Sequence, residues 1–251
     1  MRTQHAVKAS RNIAPPPGRR RRPTVKLHLG AMAAFLLAAV LTGCGASASA
    51  PKAHAATAPS TAAEVSDLLG GIPQHGSVLG DPHAPVTVQY FGDLECPFCR
   101  RFTLAVLPLL IQRYVRAGKL KITYRSLETA TRDPEVFKIQ QAAALAAGEQ
   151  DKLWNFIEFF YHEQREEDSG YVTESYLQGL AQQIPGLNLI AWTAARDQPR
   201  LLETLARDER AAQESGLDAT PSFRIGGPTH AAYYQAILAL LGSERSSSPA
   251  D

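Results

Sequence analysis

The alternation of apolar and polar residues predicts two β-strands near the middle of the chain. Residues 86–91 are β-branched or aromatic except for Gln89. They alternate, with Tyr90 and two valines on one face, a period typical of a strand. Residues 119–125 alternate in the same way. Between the two strands, apolar side chains recur at helical spacing over residues 100–117. The order strand, helix, strand predicts a right-handed βαβ unit.

The next part of the chain has the helical period instead. A proline directly after Asp133, and another directly after Gln198, is a helix-start signal. The segment 153–160 is apolar nearly all round, so we expect it to be buried between neighbouring elements. Its aromatic residues fit core packing better than a cofactor site. The predicted helices are 134–147, 153–160, 173–184, 189–195 and 199–215.

Shorter elements flank this helical region. A helical turn is predicted at 65–69 and a short strand at 78–79. A last strand around Phe223 alternates, with Pro221 at its head, where proline is tolerated. An amphipathic helix at 233–241 is predicted to follow it.

The first 43 residues have the parts of an export signal. A basic region at 19–22 precedes an apolar, alanine-rich stretch at 27–40, and Leu-Thr-Gly leads into Cys44. This resembles a bacterial lipoprotein signal, which implies that Cys44 becomes a lipid-modified residue at the start of the mature chain. An uncleaved membrane anchor is the alternative, because about 17 apolar residues is the short limit for crossing a bilayer. Either outcome places the remainder outside the cytoplasm, where disulfides persist.

The net charge supports a division of the chain at this point. Residues 1–43 contain eight of the 26 Lys and Arg residues and no Asp or Glu, which leaves 18 basic against 24 acidic residues and a net charge of −6. The formal charge of +2 for the whole chain therefore comes from the basic leader. The remainder has no basic stripe, so we expect no nucleic-acid partner.

Composition also separates a folded domain from its flanks. Residues 44–65 are rich in Ala, Ser, Pro and Thr, and such a segment buries too little apolar area to offset its ordering entropy. We predict a flexible tether there and a disordered tail at 243–251. Residues 66–242 are enough for one domain with its own core.

Cys96 and Cys99 lie where the first strand gives way to the helix. The first N–H groups of a helix have no internal partner and carry the positive end of its dipole. With Cys96 at the N-cap, Pro97 occupies the first helical position, where its missing N–H costs nothing. A cysteine in this setting has a lowered pKa, and the thiolate is the nucleophile. We therefore predict Cys96 as the attacking thiol and Cys99, one turn later, as the resolving thiol.

A structural zinc site and a structural disulfide are the two alternatives to redox chemistry for this cysteine pair. A structural zinc site needs four ligands, but the remaining cysteine is Cys44 and the seven histidines show no paired spacing. No metal is therefore expected. A purely structural disulfide between Cys96 and Cys99 would close a loop of only four residues, which stabilises a fold less than a longer loop does.

These features together resemble the DsbA-like thiol:disulfide oxidoreductases of the thioredoxin superfamily. The shared parts are the Cys-Pro-Phe-Cys between strand and helix, a second strand, a helical block and Thr220-Pro221 at the head of a later strand. The resemblance covers roughly 66–242. It implies an α/β thioredoxin fold with an all-helical domain inserted at about 131–214. It also implies a cis peptide bond between Thr220 and Pro221, beside Cys96, that helps to hold an extended client segment.

This chain departs from the family pattern in several places. Relatives often have an acidic residue six positions before the first cysteine, buried as a proton acceptor, where this chain has Tyr90. Asp93 and Glu95 are nearer in sequence, but we expect them to be more exposed, so the acid–base role is unassigned. Phe98 replaces a common histidine and cannot donate a hydrogen bond, and we place it in the client-binding surface. The stretch after Ile225 is short, so the usual final strand is expected to be truncated.

The sequence thus predicts an extracytoplasmic, membrane-held lipoprotein that forms or exchanges disulfides in secreted proteins without a bound cofactor. Its clients would be unfolded or extended proteins that contain cysteine, and a membrane redox partner would receive the electrons. Two alternatives stay open. One is an envelope disulfide reductase, and the other is a binding or chaperone-like module whose cysteines are incidental. An isomerase is disfavoured because the tether is too short to supply a dimerisation domain.

Overall fold

The computed structural model describes residues 5–8, 61–227, 235 and 239. Its β-strands form one mixed sheet in the order β1-β6-β4-β5-β3-β2. The strands are β1 (His5–Lys8), β2 (Gln74–His75), β3 (Val78–Leu79), β4 (Val86–Gly92), β5 (Leu120–Ser126) and β6 (Ser222–Gly226).

β4 is the strand that leads to the cysteines, and it lies between β5 and β6. It pairs with β5 in parallel, as the predicted strand–helix–strand unit requires, and with β6 antiparallel. Tyr90 is the residue of β4 that stands opposite both Tyr124 and Phe223. An aromatic row therefore crosses the middle of the sheet, directly before β4 ends.

Eight α-helices are described, and five of them make up the helical insertion. They are α1 (Thr61–Leu69), α2 (Pro97–Arg101), α3 (Leu107–Leu110), α4 (Pro134–Gly148), α5 (Leu153–His162), α6 (Glu174–Gln182), α7 (Leu189–Arg196) and α8 (Pro199–Gln213). Helices α4 to α8 come between β5 and β6 in the chain, so the predicted thioredoxin fold with a helical insertion is confirmed. The predicted turn at 65–69 is longer than expected, since α1 begins at Thr61.

The helix that carries the cysteines is not a plain α-helix. It begins at Pro97 and contains two π-helical segments, Phe102–Val106 and Ile111–Val115, on either side of α3. Pro108 lies in α3 directly after the first π segment, and a proline cannot donate the backbone hydrogen bond that a regular turn needs. The wider turn ahead of Pro108 is consistent with that missing donor, whereas the apolar spacing over 100–117 predicted only a continuous helix.

Helix α5 is the centre of the core, as its uniform apolarity predicted. Nine of its ten residues are buried. It packs against α1, α4 and the first π segment, and the indole N–H of Trp154 donates to the Ser77 carbonyl at 3.2 Å. The aromatic residues of α5 are therefore core residues, and they connect the inserted domain to the cysteine-bearing helix.

β1 belongs to the predicted export signal, and it lies at the edge of the sheet. It pairs antiparallel with β6, with His5 opposite Ile225. A signal cleaved before Cys44 would remove β1 and leave β6 as the edge strand. Cys44, the predicted tether as far as residue 60, the tail and the helix predicted at 233–241 (apart from the helical residues 235 and 239) lie outside the described residues. Residues 61–65 of the predicted tether are described, and they form the first part of α1. Among the helices that the structure describes, none is long and apolar enough to cross a membrane.

Candidate active site

The end of β4 and the start of α2 place the two cysteines. β4 ends at Gly92, and Cys96 is the N-cap of α2 with an extended backbone (φ −69°, ψ 120°). Pro97 takes the first turn, as predicted, and the N–H of Arg100 donates to the Cys96 carbonyl at 3.1 Å. Cys96 and Cys99 are present as free thiols. The Cys96 sulfur thus lies at a helix N-terminus, the position that the sequence predicted.

The predicted client-binding residues surround Cys96. The peptide bond between Thr220 and Pro221 is cis, as the resemblance implied, and the Cys96 thiol donates to the Thr220 carbonyl at 3.5 Å. The Phe98 side chain is 45% exposed, and the guanidinium of Arg101 lies 5.9 Å from its ring centroid. The structure therefore brings together segments that are 124 residues apart in the sequence.

The two sulfurs differ in access. Cys96 is 4% exposed and Cys99 is fully buried. Cys96 therefore retains a small solvent-accessible surface, whereas Cys99 has none. This asymmetry suits the predicted roles of attacking and resolving thiol.

Hydrogen bonds stabilise the thiolate form of Cys96. They lower its pKa from the ordinary value of 9.0 to about 7. The largest contribution comes from the Cys99 thiol, followed by Thr220 and the backbone N–H groups of Cys99 and Phe98, while burial opposes the shift. The sequence predicted the backbone donors but not that Cys99 contributes more than they do.

Cys99 has the opposite properties. Burial raises its pKa well above the ordinary value, and the hydrogen bond and the negative charge of Cys96 raise it further. The Cys99 sulfur faces three buried tyrosines, namely Tyr90, Tyr124 and Tyr161, whose own pKa values are raised by burial and by the charge of Cys99. At neutral pH the pair therefore consists of a reactive Cys96 and a protonated Cys99.

The expectation that Asp93 and Glu95 are exposed was wrong. Asp93 is fully buried and Glu95 is 2% exposed. The Asp93 carboxylate accepts the backbone N–H groups of residues 129, 130, 131 and 95 and the hydroxyl of Thr131, at 2.7–3.1 Å. A buried carboxylate needs such donors, and most of them come from a loop more than thirty residues away. Asp93 therefore ties that loop to the start of the cysteine-bearing segment.

The buried carboxylate of Glu95 has fewer hydrogen-bond donors than that of Asp93. One carboxylate oxygen accepts the N–H of Asp168 at 3.2 Å. The other is buried and has no hydrogen-bond partner among the described residues. Burial raises the pKa of Glu95.

Several contacts around the cysteines come from residues that the sequence did not single out. Gln164, just after α5, donates its side-chain amide to the carbonyls of Leu94 and Cys96 at 2.7 and 3.2 Å. Arg100 donates to the Tyr161 carbonyl at 2.7 Å. The hydroxyls of Thr129 and Thr220 lie 2.5 Å apart. Only the fold brings these residues to the site, and no local motif marks them.

No metal-binding cluster accompanies the cysteines in the part of the chain that the structure describes. No three His, Cys, Asp or Glu side chains there lie close enough together to hold an ion.

Comparison with known proteins agrees with this architecture. A thioredoxin family model matches residues 74–240. The probable disulfide bond formation protein D of Bacillus anthracis is 26% identical over 150 residues, which is 59% of this chain and 69% of that protein. The protein of the same description from Bacillus cereus is 28% identical over 152 residues, with the same coverage. The crystal structure of oxidised BdbD from Bacillus subtilis superposes with a TM-score of 0.55 at 22% identity, covering 68% of this chain and 97% of BdbD.

Proposed function

The chain belongs to the thioredoxin family as a DsbA-like thiol:disulfide oxidoreductase, and we propose that it exchanges disulfides with secreted client proteins through Cys96 and Cys99. The observation that carries this proposal is the hydrogen-bonded pair itself. Cys96 has a pKa of about 7 beside a buried Cys99 and a cis-proline loop. The relatives named as disulfide bond formation proteins support the same chemistry.

The exchange proceeds in two thiolate displacements when the protein starts oxidised. A client thiolate attacks the Cys96 sulfur of the Cys96–Cys99 disulfide, the bond between the two cysteines breaks, and Cys99 leaves as the thiolate. A second client thiolate then attacks the client sulfur of the mixed disulfide, and Cys96 leaves with the electron pair. The client is oxidised by two electrons and the cysteine pair is reduced by two. A leaving thiol of lower pKa departs faster, which favours Cys96 as the group released last.

An extended client segment would lie against the cis-proline loop. The Thr220 carbonyl accepts the Cys96 thiol at 3.5 Å, and its second lone pair can accept a client N–H. The exposed ring of Phe98, two residues after Cys96, would add apolar contact to the client. The cis bond and the contact of Thr220 with Cys96 support these roles of Thr220 and Pro221.

The location of the protein forms part of the proposal. We infer an extracytoplasmic protein held at the membrane by a lipid on Cys44, with a membrane redox partner that reoxidises the pair. The basic and apolar leader and the Gly-Cys step support this inference. Metabolic labelling with a fatty-acid analogue should mark the native chain but not a Cys44→Ser variant. Equal labelling of both would exclude lipidation at Cys44.

The reductase is a second candidate, and one observation favours it. A Cys96 pKa of about 7 is close to that of thioredoxin, about 7, and far from that of DsbA, about 3.5. A reduction potential near −270 mV would select a reductase, whereas a value near −120 mV would select a strong oxidase. Equilibration of the full chain with a glutathione buffer gives this value directly.

Trapping of clients tests the exchange itself. In a Cys99→Ala variant the mixed disulfide between Cys96 and a client cannot be resolved from within the protein, so such adducts should accumulate and disappear on reduction. Cys96→Ala is the matched control and should form none. Adducts that are equally abundant in both variants, or absent from both, would contradict the proposed roles and favour a module whose cysteines are incidental.

A further inference from the structure

Three tyrosine hydroxyls lie in the core beneath Cys99. Tyr90, Tyr124 and Tyr161 come from β4, β5 and α5, and each is at most 1% exposed. The Tyr90 ring packs against Phe102, one helical turn after Cys99, with centroids at 4.7 Å. This brings the Tyr90 hydroxyl to the Cys99 sulfur, and the hydrogen bond between them raises the pKa of Tyr90 and lowers that of Cys99. The Tyr124 hydroxyl instead lies 3.1 Å from the Gly92 carbonyl and 3.0 Å from the side-chain oxygen of Gln141. Of the Tyr90 and Tyr124 hydroxyls, the one that contacts the reacting Cys99 sulfur is therefore that of Tyr90.

Tyr90 is also part of a short hydrogen-bond chain. Its hydroxyl lies 3.2 Å from that of Tyr161, and the Tyr161 hydroxyl donates to the Asp93 carbonyl at 3.1 Å. A carbonyl oxygen can only accept a hydrogen bond, so Tyr161 must be the donor in its bond with Asp93. While Cys99 is a thiol, its S–H donates to the Cys96 thiolate, and Tyr90 can donate to Tyr161 while Tyr161 donates to Asp93. When Cys99 carries a negative charge, a turn of the Tyr90 O–H alone redirects its proton to the sulfur.

The surroundings hold Tyr90 in place for this function. Its ring packs against Phe102 and Phe223, with centroids at 4.7 and 5.6 Å. A Cβ at Gly92 would lie 3.0 Å from the Tyr90 hydroxyl oxygen, so glycine at that position leaves room for the hydroxyl. The hydroxyl can turn while the ring stays fixed.

We propose that Tyr90 is a catalytic residue that donates a hydrogen bond to the Cys99 thiolate whenever that thiolate forms. This inference rests on the proposed disulfide exchange. Cys99 is anionic when a client thiolate displaces it from Cys96, and again when it attacks the Cys96 sulfur of a mixed disulfide and the client leaves as the thiolate. In both steps the charge develops on a fully buried atom, and buried charge is costly unless donors meet it. The backbone of Asp93 supplies one donor to Cys99, and the Tyr90 hydroxyl supplies a side-chain donor.

A phenol suits this position better than an ionised carboxylate would. Burial keeps the pKa of Tyr90 far above neutrality, so its hydroxyl remains a neutral donor at every working pH. A carboxylate in its place would repel the Cys99 thiolate unless it was itself protonated. The other ionisable groups that face Cys99 are Cys96 on its own helix, Tyr124 on β5 and Tyr161 on α5.

The test measures how fast Cys99 resolves a defined mixed disulfide. The full chain in a Cys44→Ser background, which leaves Cys96 and Cys99 as the two thiols, is converted to the mixed disulfide of Cys96 with glutathione. Release of glutathione is then followed from pH 6 to pH 10. Tyr90→Phe should slow release about tenfold at pH 8 and raise the midpoint of the pH profile by about one unit, since a hydrogen bond to a charged group is lost. Tyr176→Phe is the matched control, because the Tyr176 hydroxyl on α6 donates to the Phe160 carbonyl at 3.5 Å, and it should leave the profile unchanged.

The outcomes separate the inference from the function on which it rests. If the native chain releases no glutathione, the proposed exchange fails. If it does, and the Tyr90→Phe profile superimposes on the native and Tyr176→Phe profiles, the role of Tyr90 is excluded. Should Tyr90→Phe not fold, 3-fluorotyrosine at position 90 replaces it. That more acidic donor should speed release and lower the midpoint, and an unchanged profile would again exclude the role.

Discussion

The Cys96 thiol lies 3.5 Å from the carbonyl oxygen of Thr220, the residue before the cis-proline. The same threonine acts on Cys96 through its side chain, which contributes to the low pKa of the thiol. One residue of the loop therefore contacts the reactive sulfur through its backbone and also lowers the pKa of that sulfur through its side chain. Under the proposed function, the reactivity of Cys96 and client binding would depend on the same residue.

The pH dependence of alkylation tests the contribution of Thr220. Because a folded pKa of about 7 makes Cys96 a thiolate above neutrality, its reaction with iodoacetamide in the reduced protein should rise through a midpoint near pH 7 and then level off. Thr220→Val removes the hydroxyl, so the midpoint should move up by roughly half a unit to one unit and the rate at pH 7 should fall about two- to fivefold.

Thr204→Val is the control for this change. Thr204 lies on α8 and donates its hydroxyl to the Arg200 carbonyl at 2.9 Å, far along the chain from the cysteines. The pH midpoint of Cys96 alkylation in Thr204→Val should equal that of the native chain. A native midpoint above pH 8.5, or equal midpoints for the two variants, would contradict the structure's account of Cys96.

Phe98 offers a way to shift the redox balance. It is 45% exposed, so Phe98→His should fold normally and place an N–H donor next to the Cys96 thiolate. A more stable thiolate makes the disulfide more oxidising, by about 30 mV for each unit by which the pKa falls. We expect Phe98→His to raise the reduction potential by at least that amount in a glutathione titration. Phe98→Leu supplies no donor and should stay near the native value, and equal potentials for the two variants would contradict the argument.

Asp93 is predicted to matter for stability. Asp93→Asn replaces one carboxylate oxygen by an amide that can only donate, so some of the N–H groups from 129–131 would face another donor. Loss of such buried, charge-assisted bonds should reduce the free energy of unfolding by about 2–4 kcal/mol, measured by urea denaturation.

Asp133→Asn is the matched substitution for Asp93→Asn. Asp133 caps α4 by accepting the N–H of Glu135 at 2.9 Å, and Asn caps a helix about as well as Asp. Asp133→Asn should therefore lower the free energy of unfolding only slightly, by about 0.5 kcal/mol or less. Equal losses of stability for the two variants would show that the hydrogen bonds of Asp93 stabilise the fold no more than an ordinary helix cap.

Local signals in the sequence were sufficient to predict most elements of the fold. Asp133 and Thr173 accept the N–H groups of Glu135 and Tyr176 at the starts of α4 and α6, so these helices begin where short-range capping chemistry places them. The alternation that predicted β4 also survives in the burial of Val86 and Tyr90. Such signals involve residues a few positions apart, and a single sequence contains them in full.

The features that the sequence did not reveal depend on residues far apart. The burial of Asp93 is tolerable only because donors from 129–131 reach it. The contact of Gln164 with the Cys96 carbonyl likewise requires the inserted domain to fold back onto α2. The largest effect on the pKa of Cys96 comes from the orientation of the Cys99 thiol, which the Cys-X-X-Cys spacing permits but does not fix.

Transfer of a disulfide to a client is the most direct test of the central claim. The oxidised full chain is mixed with one equivalent of a reduced peptide that contains two cysteines. The reaction is quenched with acid, and the masses of the peptide and the protein are measured by mass spectrometry. We predict that the peptide loses two hydrogens while the protein gains two at Cys96 and Cys99, with a transient adduct through Cys96. A peptide that stays reduced beside an unchanged Cys96–Cys99 disulfide would contradict the account.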